Sequence, residues 1–351
     1  MDVKVAGRWL QQHGAVSSVT WSDRWGEGPC GPDLASCSFA VDPGNDARWL
    51  RVGQPAEVHD DHGLVLGGVV AEVGRGFPRE IHIRGWARRG EDYDAVDGSG
   101  NPTNTPQTAV QQAIGRGLQW NGYAAFSSSS IGTTEPTTRR LNDLLTQWAT
   151  TTGQRWGVDA HGNTFVTADP TAATDGVDYY LDAEGLDIGV ADDGFFTRVR
   201  ARYVSGVDGG GNPSAWSTAT ADDATAQAEF DVIEYPMDLT ALGPISPTTA
   251  LSYAAQQLAL LTQPQWLSRA RVTIGQLRTP GGNVAHLPAV RAGQLLRLHN
   301  VPTNIGGIRG ELGIDVVIGE TQHSDDDPAS ITIAPVNLAV RSLADEIADR
   351  R

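Results

Sequence analysis

The densest group of potential metal ligands is His59-Asp60-Asp61-His62, in which two imidazoles flank two carboxylates. Imidazole nitrogens and carboxylate oxygens both bind zinc, so such a tetrad has suitable ligand chemistry. Side chains that alternate along a strand point to opposite faces, however, and would not converge on one ion unless a loop folded them together. We therefore interpret this segment as a polar hairpin tip. His323, which lies close to Asp325, Asp326 and Asp327, is interpreted in the same way, as a solvated turn.

Two other segments loosely resemble calcium-binding loops. Residues 96–102 and 207–213 both run from Val-Asp-Gly through a Gly-Asn pair to Pro. Neither contains the late glutamate that completes a calcium-binding loop. Because Asp, Gly, Asn and Pro are also the residues that turns require, we predict two exposed loops instead.

Known enzyme motifs are missing from the sequence. There is no Gly-x-x-x-x-Gly-Lys-Ser/Thr phosphate-binding loop, and the single lysine is Lys4. The motifs His-Glu-x-x-His and Gly-x-Ser-x-Gly are absent too, so no sequence motif supports a zinc metallopeptidase or an α/β-hydrolase. The 42 acidic residues could include a carboxylate pair for glycoside cleavage, but the fold brings the two members of such a pair together, so the sequence does not identify them. We therefore predict a protein that is not an enzyme, with no catalytic, cofactor-binding or metal-ligating residue and no cofactor.

Composition restricts the fold and the partners. The 351 residues exceed the size of one typical core, and 40% of them are hydrophobic, so we expect a folded chain with several domains. The 26 basic and 42 acidic residues give a formal charge of −16, which disfavours tight binding to nucleic-acid phosphates. The ten tryptophans are scattered, which favours core or interface packing over a sugar-binding platform.

The sequence also predicts the cellular compartment. No run approaches the ~20 apolar residues of a membrane helix, and the first residues lack the features of a signal peptide. We expect a soluble protein that is made without an export signal and has no membrane span. Cys30 and Cys37 are too few for a disulfide framework and wrongly spaced for a zinc pair, so we predict two reduced thiols, with Cys37 packed beside Phe39 and Val41.

The elements that position these residues are mainly strands. In the first ninety residues, short β-favouring runs alternate with Gly, Pro and Asp turns, a spacing typical of a small barrel or sandwich. Three helices are predicted further along the chain. The first begins at Pro106 with Thr105 as its cap. The second follows Pro136, with an apolar face formed by Leu141, Leu144, Leu145 and Trp148. The third follows Ser246, with an apolar stripe formed by Leu251, Ala254, Ala255, Leu258 and Leu261.

Further strands are predicted around and after these helices. Residues 154–167 have a hairpin signature. The run 196–204 alternates and places arginine at most of its polar positions, which predicts one buried face and one face that is wet or at an interface. The later strands are 271–274, 295–298, 314–318 and 331–333, and a final amphipathic helix carries Leu338, Leu343 and Ile347.

The most informative feature of the chain is an internal sequence repeat, or echo, between its two strand-rich regions. Residues 51–59 match residues 291–299 in the pattern Arg-x-Gly-Gln, an aliphatic residue and a final His, at a constant offset of 240. Downstream, a strand that ends with residues 67–73 corresponds to a strand that includes 316–321, and the strand 81–83 corresponds to 331–333. Short strand–turn patterns also coincide by chance. If the echo reflects duplication, the chain contains two copies of one β-barrel with helix-bearing segments between them.

The order of elements resembles the baseplate hub proteins of tailed bacteriophages, called minor tail proteins in phages of actinobacteria. The resemblance is carried by Leu50-Arg51-Val52-Gly53-Gln54, Leu66-Gly67-Gly68-Val69-Val70, the inserted α+β segment, Val317-Ile318-Gly319-Glu320-Thr321 and Ile331-Thr332-Ile333-Ala334-Pro335. It covers nearly the whole chain and rests on arrangement more than on invariant residues. An actinobacterial host also agrees with a basic set that is almost entirely arginine, as a GC-rich genome favours.

The resemblance implies a virion protein at the distal end of the phage tail, made in the host cytoplasm. It implies a homotrimer whose two barrels per chain present six similar faces to a sixfold tail tube. The implied partners are the tail tube and distal tail proteins, the tip or fibre proteins, the tape measure protein, and genomic DNA that passes through the lumen without tight binding. The implied function is to join these parts and to form or gate the channel for DNA ejection.

The resulting fold prediction is mainly β with inserted α+β segments, built on two similar small β-barrels. We expect the first barrel in residues 1–95, an inserted α+β domain in 96–190, the second barrel in 191–242 and 265–336, an inserted helix in 243–264 and a C-terminal helix in 337–351. The spike hub of a contractile secretion device, which shares this architecture, stays open, and so do two alternative functions. One is a tail-associated cell-wall hydrolase, for which the sequence offers carboxylates but no motif. The other is a host-carbohydrate-binding adhesion protein, supported by the tryptophan count and the β content.

Overall fold

A computed structural model describes most of the chain. The described residues are 1–26, 28–45, 48–131, 138–171, 174–183, 186, 188–189, 196–210, 213–261, 265–266, 269–300 and 313–336. The predicted C-terminal helix at 337–351 lies outside the described residues.

The described residues form mainly strands, with the helices grouped between two strand-rich regions. The strands are β1 (Asp2–Val5), β2 (Arg8–Trp9), β3 (Gly14–Arg24), β4 (Gly31–Val41), β5 (Pro55–Asp60), β6 (Gly63–Val73), β7 (Arg79–Gly85), β8 (Arg155–Val158), β9 (Thr164–Thr167), β10 (Tyr179–Asp182), β11 (Ile188–Gly189), β12 (Arg198–Val207), β13 (Pro213–Asp222), β14 (Glu234–Asp238), β15 (Gln265–Trp266), β16 (Ala270–Thr273), β17 (Leu277–Arg278), β18 (Leu295–His299), β19 (Gly313–Ser324) and β20 (Ser330–Pro335). The helices are α1 (Pro106–Gly115), α2 (Leu141–Thr152), α3 (Ala224–Phe230) and α4 (Pro247–Leu261). The predicted mainly β class with inserted helix-bearing segments is confirmed.

Thirteen strands share one continuous hydrogen-bonded sheet. Their order is β17-β10-β18-β19-β3-β4-β7-β6-β5-β1-β2, with β20 paired to β19 and β16 paired to β20. Within the described residues, no pairing joins the β2 end back to an earlier strand, so these strands do not close into a barrel. The predicted barrels are therefore open, twisted units in the part of the chain that the structure describes.

Four hydrophobic clusters lie along the chain. The first fills the first strand unit, β1–β7, and the second fills the helix unit of α1, α2, β8 and β9. The third fills the second strand unit, β10 with β16–β20, and the fourth lies between α4 and the sheet β13-β12-β14. The predicted second barrel combined residues 191–242 with residues 265–336. In the structure, the described residues of 191–242 pack in the fourth cluster, whereas the strands of 265–336 pack in the third. A cluster of side chains does not by itself delimit a domain, so the domain limits stay predictions.

The two strand units repeat one arrangement. Strands β4-β7-β6-β5 and strands β16-β20-β19-β18 follow the same order, and every neighbouring pair is antiparallel. β6 and β19 also contain equivalent bulges, between Val70 and Glu72 and between Ile318 and Glu320. Because a bulge fixes the register of the strands that cross it, this coincidence makes chance an inadequate explanation of the echo.

The two Arg-x-Gly-Gln segments fold into the same turn. Gln54 Oε1 accepts a hydrogen bond from the amide of Arg51 at 2.8 Å, and Gln294 Oε1 accepts one from Arg291 at 2.6 Å. The glycine between them has φ of +84° in the first turn and +88° in the second, a left-handed conformation that glycine adopts without strain. The motif is therefore required by the turn, and the predicted echo is confirmed at this point.

The last matched segments of the echo, residues 81–83 and 331–333, are offset by two residues in the structure. Ile81 pairs with Val73, and Ile333 pairs with Thr321, so Ile81 corresponds to Ile333. The sequence comparison matched Ile81 to Ile331, which was wrong by two residues. A shift of two keeps a side chain on the same face of its strand, so the hydrophobic pattern alone did not reveal the error.

The helices follow their predicted periodicity with two corrections. Leu141, Leu144 and Leu145 are fully buried in α2, as predicted. Thr105 precedes α1 but forms no side-chain capping bond. In α4, the buried stripe is Ala250, Ala254 and Leu258, whereas the predicted Leu251 and Ala255 are exposed. An alanine-lined stripe lets the helix approach the sheet closely, and this packing overrides the preference for burying the larger side chains.

Candidate functional site at the junction of the strand units

Strand β3 belongs to both strand units. It pairs with β4 along most of its length, and residues 20–24 also pair with residues 320–324 of β19. The amide of Trp25 continues this pairing by donating to the carbonyl of Gly319 at 2.7 Å. The end of β3 therefore joins two regions that lie about 300 residues apart in the sequence.

Aromatic and cationic side chains stack at this junction. Trp21 lies opposite His323 in the β3–β19 register, and their ring centroids are 3.8 Å apart with the planes 8° from parallel. The guanidinium carbon of Arg291 lies 4.6 Å from the centroid of Trp21, within the range of a cation–π contact. Arg291 is the first residue of the second Arg-x-Gly-Gln turn, so the stack fixes this turn against β3.

A buried carboxylate completes the junction. Asp23 is 3% exposed, and its Oδ2 lies 3.4 Å from Nε of Arg291. Neither carboxylate oxygen of Asp23 accepts a hydrogen bond within the described residues. Burial raises the pKa of Asp23 to about 7, because the loss of hydration outweighs the opposing charge of Arg291. Burial, together with Arg291, lowers the pKa of His323 to about 3, so this imidazole is neutral at pH 7.

Trp25 connects the junction to the helix unit. Its indole Nε1 donates to Oδ1 of Asp169 at 2.8 Å, and Asp169 also forms a two-point ion pair with Arg155 at 2.8 and 2.9 Å. On the other side, a Cβ added to Gly293 would lie 2.4 Å from Cε3 of Trp25. Trp25 thus contacts all three neighbouring units. Because these groups are packed against one another, the arrangement positions the units relative to one another.

Sequence analysis missed this junction. Trp21, Asp23 and Trp25 were interpreted only as general packing residues or left without comment. Their spacing of two places all three on one face of a strand, and an aspartate between two tryptophans on a buried face is the signal that could have identified them. His323 was predicted to lie in a solvated turn, but it is 4% exposed, because β3 covers this part of β19.

The remaining metal-ligand candidates do not converge. His59 Nε2 lies 2.9 Å from Oε2 of Glu57, whereas His62 Nε2 lies 2.7 Å from Nε2 of His286 in the second strand unit. The tetrad forms the β5–β6 hairpin tip, as predicted. The described residues contain no group of three or more His, Cys, Asp or Glu side chains arranged to hold a metal ion.

The two predicted Asp-Gly-Asn loops use their carboxylates internally. Asp97 Oδ1 accepts bonds from the amides of Ser99 and Asn101 at 2.8 and 3.0 Å, and Asp208 Oδ1 accepts one from Gly210 at 2.9 Å. These contacts are typical of Asx turns and direct the oxygens toward the backbone. Residues 211 and 212 of the second loop lie outside the described residues.

Both cysteine thiols are free and buried. Cys37 packs in the first core with Phe39 and Val41, as predicted. The backbone of Cys30 bonds to the carbonyl of Trp156 at 2.9 Å and to the amide of Val158 at 3.1 Å, which attaches this loop to the helix unit. Burial raises the pKa of Cys30 to about 11 and that of Cys37 to about 12, so neither thiol is a nucleophile at neutral pH.

The predicted arginine face of β12 is exposed. Val199, Ala201 and Tyr203 are buried against α4, as predicted for one face of this strand. On the opposite face, Arg198 pairs with Asp222 at 2.6 Å and Arg200 with Glu234 at 3.6 Å. Trp216 is 51% exposed beside Arg202, and a shallow groove of about 400 Å³ follows this face. This face is exposed to solvent, and the charges of its arginine and acidic side chains nearly cancel.

The fold and the junction together define a class: a mainly β protein with two repeated strand units tied by one shared strand. No protein-family model matches the chain, and no curated protein sequence matches it significantly. Solved protein structures share the fold, three of them at 12–15% sequence identity over 95% of this chain. None of the described helices is long and apolar enough to cross a membrane.

The three structures are all named as tail proteins. The 43 kDa tail protein of prophage MuSo2 from Shewanella oneidensis is 13% identical, with a TM-score of 0.62 over 95% of this chain and 96% of that one. A tail protein from Neisseria meningitidis MC58 is 15% identical, with a TM-score of 0.60 over 95% and 94%. The prophage tail protein gp18 from Listeria monocytogenes EGD-e is 12% identical, with a TM-score of 0.54 over 95% and 91%. This chain therefore has the fold of these tail proteins over nearly its full length.

Proposed function

We propose that this chain is a structural protein of a phage tail and forms the trimeric hub at its distal end. The observation that carries the proposal is the shared fold with three tail proteins over 95% of the chain. The repeated strand units support the hub role in particular. A ring of three chains with two similar units each would present six similar faces to a sixfold tail tube.

In this role, the chain joins the tail tube and distal tail proteins to the tip or fibre proteins. Each chain carries a formal charge of −16, so a ring of chains surrounds its channel with a negative field. This field repels the DNA backbone and lets genomic DNA pass during ejection without tight binding. We also propose contact with the tape measure protein and an actinobacterial host, on the strength of the sequence resemblance.

Immunogold labelling of intact virions tests this function. Antibodies against the purified chain are expected to label the distal end of the tail, with antibodies against the major tube protein as the control that labels its whole length. Label along the tube or on the capsid would contradict the hub role. Absence of the chain from purified virions, measured by mass spectrometry, would contradict a structural tail role altogether.

A carbohydrate-binding function is the second candidate. The half-exposed Trp216 beside a groove lined by Arg200, Arg202 and Asp238 favours it, because an aromatic face with charged hydrogen-bonding groups suits a sugar ring. Glycan-array binding that is lost in Trp216→Ala would support this function, and an array without signal would remove it. For the cell-wall hydrolase alternative, we expect no clearing in a zymogram on host cell walls.

A further inference from the structure

Two histidines from different strand units meet on the surface of the protein. His62 lies in the β5–β6 hairpin turn, and His286 lies 224 residues further along the chain, directly before the short 3-10 helix Leu287–Ala289. Their Nε2 atoms are 2.7 Å apart, and their ring planes cross at 85°. Both side chains are exposed to solvent. His62, a member of the tetrad 59–62, therefore faces a second imidazole that only the fold brings to it.

The backbone on each side holds its histidine in place. In the tight hairpin turn, Asp60 Oδ1 accepts a hydrogen bond from the amide of His62 at 2.7 Å. On the other side, the carbonyl of His286 accepts a hydrogen bond from the amide of Ala289 at 2.9 Å, and the neighbouring Leu287 is buried in the core of the second strand unit. Because both chain segments are fixed, a ligand that binds between the two imidazoles meets groups that are already positioned.

Two imidazole nitrogens that face each other at this distance need a proton or a metal ion between them. With a proton, one Nε2 donates to the lone pair of the other; with a metal ion, both lone pairs bind the ion. Two nitrogens that bind one ion at about 2.0–2.1 Å lie about 2.9–3.4 Å apart in octahedral or tetrahedral geometry, so the exposed rings need to separate by less than about 1 Å. The carboxylates of Asp60 and Asp61, in the same turn as His62, attract a cation.

We propose that His62 and His286 bind one divalent transition-metal ion of the class of zinc, nickel and copper, which ties the β5–β6 hairpin to the second strand unit. Imidazole nitrogen is a ligand that these ions prefer, whereas Mg²⁺ and Ca²⁺ prefer oxygen. No third His, Cys, Asp or Glu among the described residues completes the set, so water occupies the other coordination positions.

The fold creates this site, because the two histidines lie 224 residues apart in the sequence. An ion that binds the folded chain and not the unfolded one stabilises the folded state, and here it also strengthens the contact between the two strand units. The inference goes beyond the proposed hub function and does not depend on it.

Zinc binding by the full-length chain, purified without a histidine tag, tests the site. Calorimetric titration with Zn²⁺ is run in an excess of Mg²⁺, which occupies the surface carboxylates of this acidic chain. His62→Gln and His286→Gln each replace an imidazole by an amide that still forms hydrogen bonds but is a poor zinc ligand. His161→Gln is the matched control, since His161 is also exposed in a hairpin turn and its amide also donates to an aspartate, Asp159, at 2.8 Å. Thermal unfolding in EDTA verifies that each variant is folded.

We expect the wild-type chain and His161→Gln to bind one Zn²⁺ per chain at their tightest site and to unfold at a higher temperature with Zn²⁺ than in EDTA. Loss of an outer partner of a metal ligand already weakens metal binding about 10–100-fold. Loss of a ligand itself in His62→Gln or His286→Gln should therefore weaken zinc binding at least about tenfold and remove the thermal shift.

Electron paramagnetic resonance of the Cu²⁺-loaded chain counts the imidazole ligands. We expect two in the wild type and one in each of His62→Gln and His286→Gln. A wild-type chain that does not bind Zn²⁺ in excess Mg²⁺ would overturn the proposal. Single variants that bind Zn²⁺ as tightly as the wild type, or an equal loss in His161→Gln, would place the ion on other residues and overturn it as well.

Discussion

Replacing Asp23 by Asn provides the most direct test of the junction energetics. The wild-type carboxylate is buried, lacks a hydrogen-bond partner within the described residues and has only Arg291 as a nearby opposite charge. Asn has nearly the same shape and no charge. The substitution therefore removes the titrating group and leaves the packing of Trp21 and His323 in place.

The expected effect follows from the shift in the pKa of Asp23 from 3.8 to about 7. Between these two pH values, the folded protein retains a proton that the unfolded chain has released, so the free energy of unfolding falls as pH rises through this window. About three pKa units correspond to about 4 kcal/mol. Aspartates with lowered pKa values behave in the opposite way, because their stabilisation is lost as pH falls.

Urea unfolding of both proteins between pH 4 and pH 8 measures this difference. We expect Asp23→Asn and wild type to have similar stability near pH 4, and the variant to be more stable by about 4 kcal/mol at pH 8. Asp94→Asn serves as the control, because its ion pair with Arg140 is exposed and contributes less than about 1 kcal/mol. Parallel pH profiles would refute the burial argument. A variant that is less stable at pH 8 would mean that the Asp23–Arg291 attraction outweighs the cost of burial.

Three further predictions concern the turns, the first core and the thiols. Gly53→Ala should lower the free energy of unfolding by about 1–2 kcal/mol, because the backbone at this position is left-handed. Gly293→Ala should lower it by about 1–3 kcal/mol more, because only this added Cβ meets a tryptophan ring. Equal losses in urea unfolding would contradict the junction geometry. Asp33→Ala should cost about 3–5 kcal/mol, since it removes the carboxylate that binds the buried Arg88 through two hydrogen bonds of 2.5 and 2.9 Å. A loss below about 1 kcal/mol in thermal or urea unfolding would show that this pair behaves like an exposed one. The two cysteines should resist a disulfide-forming thiol reagent at pH 8 until the chain is unfolded, and rapid labelling of the native protein would show that their burial is incomplete.

The repeated units also explain why one chain would present unlike surfaces at equivalent positions. Within the chain, the second Arg-x-Gly-Gln turn is occupied by the end of β3, whereas the first has no such cover. A duplicated unit that contacts its twin through one surface leaves the matching surface of the twin open.

Elements governed by local pattern were predicted well from the sequence. The buried leucines of α2 follow the helical period, and the buried face of β12 follows the strand period. The Arg-x-Gly-Gln turns were recognised because glycine at a left-handed position and glutamine as a backbone acceptor are requirements of the turn itself. These features depend on residues within one or two turns of chain, so a single sequence contains the information.

Contacts between distant residues were not predictable in this way. His323 is buried because strand β3 lies beside it, and no local pattern near residue 323 indicates this. The exposure of Leu251 has a similar origin, since the side of α4 that faces the sheet is set by packing against β12 and β13. The pairing of Ile81 and Ile333 with their neighbours was misassigned because the period of two permits several registers.

By itself, the sequence determined the mainly β class, the positions of α1, α2 and α4 and the duplication, because hydrophobic period, turn residues and repeated motifs act over short distances; it did not indicate α3. Only the tertiary structure decided which surfaces meet. The junction of Trp21, Asp23, Arg291 and His323 exists because one strand pairs with two units, and its shifted pKa values arise from burial that those units create together. The exposure of the first Arg-x-Gly-Gln turn, residues 51–53, was likewise decided by the tertiary structure, since exposure is a property of the packed chain.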